Sequence, residues 1–65
     1  MSFGIIWHEP KKAEGGMGME LAACLKDRGI KARNTHSPYY GHIAIEVELT
    51  QAKVAGSIID ELKGN

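Results

Sequence analysis

The sequence predicts a two-layer α+β sandwich of βαββα order, and three observations point to it. Apolar and polar residues alternate cleanly from His42 to Leu49, which is the signature of a half-buried strand. Two other segments carry apolar residues at helical spacing, and turn residues cut the remainder into short extended runs. At 65 residues the chain is read as one small domain spanning residues 1–65.

Phe3 to Glu9 is rich in β-branched and aromatic residues and stops at Pro10, so it reads as the first strand. Lys11 to Gly16 is polar and glycine-bearing and reads as a loop. From Met17 the apolar positions Met17, Leu21, Cys24 and Leu25 follow helical spacing, and Gly29 is the residue a helix end prefers. Ile30 to Thr35 forms the second strand. Ser37-Pro38-Tyr39-Tyr40-Gly41 is a turn, in which Pro38 suits the first corner and Gly41 tolerates positive φ. The third strand runs from His42 to Leu49, with Ile43, Ile45, Val47 and Leu49 inward. Thr50 caps a last helix that buries Val54, Ala55, Ile58, Ile59 and Leu62.

A right-handed crossover from the first strand to the second places the first helix on one face of a sheet ordered 1-3-2, and the single apolar face of the third strand draws the second helix to the same side. The hairpin register follows from its loop: Ser37 faces His42, Thr35 faces Ala44, Arg33 faces Glu46 and Lys31 faces Glu48. Opposite charges then meet on the open face while Ala32 meets Val47 and Ile30 meets Leu49 inside. Alternation in the first strand sends Phe3, Ile5 and Trp7 to the core and leaves Gly4, Ile6 and His8 on the open face.

Composition narrows the function. Eight Lys+Arg balance eight Asp+Glu, so neither a phosphate-backbone binder nor an acidic nucleic-acid mimic is expected. The single Cys24 precludes an internal disulfide and suits a reducing cytoplasm. No membrane-length apolar run occurs, and the first residues lack the basic start of a signal peptide. A core this small is marginal, so a weak homodimer stands beside the monomer as an expectation.

Three segments invite a chemical reading. His8, His36 and His42, with Glu9, fall near one end of the sheet and together resemble a zinc-ligand set or a general-base site, but without tight ligand spacing. Lys11 to Gly18 joins a strand to a helix start, where glycine amides and two lysines suit an anion, yet it matches no phosphate-loop pattern. Tyr39 and Tyr40 are too large to be buried together on a short turn and suit a contact surface. The open face with that tip therefore defines the expected partner-binding set: Ile6, His8, Arg33, Glu46, Tyr39 and Tyr40. No catalytic residue, cofactor or metal is assigned.

The stretches FGIIWHEP, GGMGMELAACLKDRGIKARNT and HIAIEVELT resemble, in size and texture, the small single-domain inhibitors that phages make against bacterial defences. Within that group the chain looks most like an anti-CRISPR protein acting on type I effector complexes. The resemblance implies a non-enzymatic protein that binds a Cas subunit and blocks DNA binding or nuclease recruitment in the bacterial cytoplasm. It has no diagnostic motif and transfers no residue roles, and the neutral charge departs from the acidic DNA mimics of the group. The alternatives are a small bacterial βαββα regulatory module and a histidine-based metal-binding or catalytic protein.

Overall fold

The computed structural model describes residues 2–10, 16–37 and 42–63. Strand β1 (Phe3–His8), helix α1 (Met17–Asp27), strands β2 (Ala32–His36) and β3 (Ile43–Glu48), a 3-10 turn (Leu49–Gln51) and helix α2 (Ala52–Leu62) follow in that order. The sheet is antiparallel and ordered β1-β3-β2, as the sequence predicts. Helix α1 packs principally over β2 and β3, and α2 over β1 and β3. Between sheet and helices lies one core built on Leu25, Ile45 and Val47, closed by Trp7, Leu21, Ala22, Ile30, Ala55 and Ile59.

The β2–β3 register is the expected one. Ala32 faces Val47, Arg33 faces Glu46 and Thr35 faces Ala44. Ser37 N–H donates to the His42 carbonyl at 2.7 Å, and Glu48 N–H donates to the Lys31 carbonyl at 3.1 Å.

Strand β1 departs from simple alternation. Phe3, Gly4 and Ile5 face Glu48, Val47 and Glu46, but the next paired residue is Trp7, opposite Ile45. Ile6 is the extra residue of a β-bulge. Directly opposed residues share a face, so Phe3 and Ile5 lie with Glu48 and Glu46 on the open side. Beyond the bulge the phase is reset: Trp7 enters the core and Ile6 packs against it. The expected placements of Phe3, Ile5 and Ile6 are therefore reversed. The physical reason is the run Ile5-Ile6-Trp7, since a regular strand cannot turn two consecutive large apolar residues inward and a bulge can.

Three other expectations are corrected. Leu49 does not continue β3 to meet Ile30: it enters the 3-10 turn, is 55% exposed, and packs its Cδ2 over the backbone of Gly4. Helix α2 is entered through that turn, without a side-chain cap from Thr50, and buries the stripe centred on Ala55 and Ile59. Val54 is off this stripe and exposed, and Leu62 lies at its margin. Cys24 is half-buried on the flank of α1 and does not enter the core.

Both ends of α1 are explained by local chemistry. At its C-terminus Ile30 N–H reaches the Leu25 carbonyl and Gly29 N–H the Lys26 carbonyl, each at 3.0 Å. This Schellman closure requires the left-handed φ of +84° that Gly29 supplies. At the N-terminus Gly18 N–H donates to Glu9 Oε1 at 3.2 Å, so the helix start is met by a carboxylate of the chain itself. Gly18 also marks the closest approach of helix to sheet: a Cβ there would lie 2.8 Å from Ile43 Cγ2 and 3.3 Å from Trp7 Cζ3. Gln51 ties the other side, accepting from Lys31 N–H at 2.9 Å and donating to the Gly29 carbonyl at 3.4 Å.

Neither the β-branched Ile43 nor the Trp7 ring can yield without moving the helix. Gly18→Ala is expected to cost about 1–3 kcal/mol, lowering the melting temperature by roughly 4 °C or more for a domain of this size. Glu9→Ala removes the helix-start acceptor and is expected to cost about 1 kcal/mol. Thermal unfolding followed by circular dichroism measures both.

Candidate protein-contact surface

The sheet face opposite the helices is assembled from alternate residues of all three strands. From β1 come Phe3 and Ile5, with His8 beyond the bulge; from β3 come Ala44, Glu46 and Glu48; from β2 come Arg33 and Thr35. Phe3 and Ile5 are half-buried although no helix covers them. Ala44 sits between His8 and Thr35 in register and is fully buried, because its neighbours close over a methyl group.

Charged side chains cross this apolar strip. Arg33 Nε donates to Glu46 Oε1 across the hairpin, and the same guanidinium lies over the Phe3 ring, 4.0 Å from its centroid. One arginine thus spans the sheet from β2 to β1, with its charge answered by Glu46 and its plane by the aromatic face. Lys31 Nζ lies 3.9 Å from Glu48 Oε2. The result is an apolar centre of Phe3 and Ile5 beside the buried Ala44 methyl, crossed and bordered by two ion pairs, each with its cation on the β2 side and its anion on β3. Such a surface presents both charge signs at fixed positions, which favours selective contact.

Of the residues expected on this surface, His8, Arg33 and Glu46 are on it, and Arg33 pairs with Glu46 as anticipated. Ile6 is not: the bulge turns it to the core. Tyr39 and Tyr40 lie outside the described residues. Phe3 and Ile5 take the place assigned to Ile6, and the sequence signal for them was the unbroken Ile5-Ile6-Trp7 run.

The histidines do not form one group. His8 is opposite Ala44 on the open face. His36 is opposite Ile43, on the face where Asn34 Nδ2 donates to the Gly18 carbonyl at 3.1 Å, and so it points to the helix side. Among the described residues no cluster of three or more His, Cys, Asp or Glu is placed to hold a metal ion. The anion reading of the Lys11–Gly18 segment falls partly outside the described residues, and its helix start is taken by Glu9.

A second concave region, of about 500 Å³, separates α1 from the end of α2. Pro10, Met17, Leu21, Cys24 and Leu62 line it, with Glu20 and Lys63 at its edge. It is apolar and holds no convergent set of polar groups.

Comparison with protein-family models, with curated proteins and with solved structures finds no match. Among the described residues no helix is long and apolar enough to cross a membrane.

Two outcomes are expected from this geometry. Arg33→Ala removes an ion pair and a cation–π contact, but the side chain is 58% exposed, so the loss should not exceed about 1 kcal/mol in urea unfolding. Zinc added in excess and then chelated should leave the melting temperature unchanged, since among the described residues no three His, Cys, Asp or Glu side chains converge. A stoichiometric rise would contradict this.

Proposed function

We propose that the chain is a non-enzymatic protein-binding module whose contact surface is the open face of the sheet. The observation that carries this reading is the apolar pair Phe3 and Ile5 on the sheet face opposite the helices, ordered by Arg33 across it. Flat, backbone-supported area with an apolar middle and a charged rim matches the anatomy of a protein interface. The alternative of catalysis needs a preorganised set of groups screened from water. Here the charged groups of the face are engaged with one another, Arg33 with Glu46 and Lys31 with Glu48.

The resemblance to anti-CRISPR proteins supplies the partner to test first: a subunit of a type I effector complex, bound so that DNA binding or nuclease recruitment is blocked. The neutral net charge supports contact with protein in preference to a DNA-binding role. Tyr39 and Tyr40, between β2 and β3 in sequence, are the residues expected to extend the same contact.

Titration of the protein against purified type I effector complex, read by calorimetry and by inhibition of DNA binding, tests this. Ile5→Asp places a charge in the apolar centre and should weaken binding by at least about 2 kcal/mol, roughly thirtyfold. Tyr39→Ala combined with Tyr40→Ala should weaken it comparably, whereas Lys53→Glu on exposed α2 should not. Binding that survives Ile5→Asp in a folded protein but fails in Lys53→Glu would move the contact to the helical layer and end this reading.

A further inference from the structure

The sheet has two edges, and they differ. Strand β1 is interrupted by the bulge at Ile6, a device that breaks the regular row of hydrogen-bonding groups and protects an edge from pairing. Strand β2 is regular throughout Ala32–His36 and holds neither proline nor bulge. Its odd-numbered residues turn their backbone groups to β3: Lys31 accepts from Glu48 and Ser37 donates to His42. The N–H and C=O groups of Ala32, Asn34 and His36 therefore face outward along the edge.

The helical layer above that edge is equally exposed. Helix α1 lies over β2 and β3, and α2 lies over β1 and β3. The flank of α1 that faces α2 carries Met17, Glu20 and Cys24, which line the groove between the helices. The opposite flank, overhanging β2, carries Met19 and Ala23 at helical spacing, and Met19 is 62% exposed. Met19 follows Gly18, whose carbonyl accepts from Asn34 Nδ2 at 3.1 Å. The most exposed large apolar side chain of α1 thus sits beside the midpoint of the β2 edge.

We infer that β2 is a self-association edge and that its occupant is β2 of a second copy of this chain, paired antiparallel about a two-fold axis at Asn34. In this register Asn34 faces Asn34 of the partner subunit, Ala32 faces His36 of the partner subunit, and all edge-directed backbone groups of the strand are paired. On the open face Arg33 comes opposite Thr35 of the partner subunit, so no like charges are directly opposed. Centring the axis on Ala32 would set Arg33 against Lys31 of the partner subunit, and centring it on His36 would leave half of β2 unpaired. The axis at Asn34 also brings the two Met19 side chains together above the joined sheets, where Ala23 extends the contact. A standard interface takes about 800 Å² from each partner, close to a fifth of the 4456 Å² this chain exposes. The inference does not rest on the open-face reading: pairing edge to edge leaves Phe3 and Ile5 clear of the partner and displays two such faces side by side.

Sedimentation equilibrium of the whole chain over a concentration series tests it. The wild type should show a monomer–dimer equilibrium. Met19→Glu sets two carboxylates against each other at the axis and should weaken the dimer by at least about tenfold. His36→Pro removes an edge-directed N–H, which a lone edge strand tolerates, and should have the same effect with an unchanged circular dichroism spectrum. Thr35→Glu, placed to meet Arg33 of the partner subunit, should tighten the dimer by up to about fivefold, and Thr35→Arg should loosen it. A wild type that stays monomeric at every concentration overturns the inference. So does a dimer that ignores both Met19→Glu and His36→Pro, or one in which the two Thr35 substitutions act alike.

Discussion

Strand β3 has to meet four demands at once: a partner strand on each edge, a helical layer on one face and a charged surface on the other. Ile45 and Val47 are fully buried beneath the helices, while Glu46 and Glu48 carry the ion pairs on the reverse side. A one-residue slip of β2 would turn Ala32 out of the core and Arg33 into it. Every other element is placed by this requirement. The hairpin meets it through its loop length and charge pairs, and β1 meets it through a bulge.

The bulge at Ile6 is where packing and surface chemistry are linked. By admitting one extra residue it lets both Ile6 and Trp7 serve the core, and the same change of phase leaves Phe3 and Ile5 on the open face. A small chain with little apolar material gains two inward side chains and an apolar strip outside from one irregularity. The strip is then held by Arg33, whose guanidinium covers Phe3 and whose charge is answered by Glu46. The interruption also distinguishes the two edges, leaving β2 as the regular one.

The helical layer depends on close approach at few points. Gly18 permits α1 to lie against Ile43 and Trp7, and Ala55 plays a similar part for α2. At the margins Asn34 and Gln51 add hydrogen bonds to backbone groups: Asn34 to the Gly18 carbonyl, and Gln51 to the Lys31 N–H and the Gly29 carbonyl. In a domain of 65 residues, where burial and chain entropy nearly cancel, such margins decide whether the layer is held in one position.

What the sequence determined by itself was local and periodic. The alternation of β3, the helix of Met17–Asp27 closed at Gly29, and the charge pairs of the hairpin were legible because each is set by spacing within one or two elements. From these the strand order and the common face of the helices followed. Tertiary structure decided the phase of β1, the exit of Leu49 from its strand, the separation of His36 from His8 and the exposure of Val54. Each of these turns on which of several apolar residues wins a limited place in the core. Ile5, Ile6 and Trp7 are all fit to be buried, and only the fixed positions of Glu46 and Ile45 opposite them select Ile6 and Trp7 for the inside.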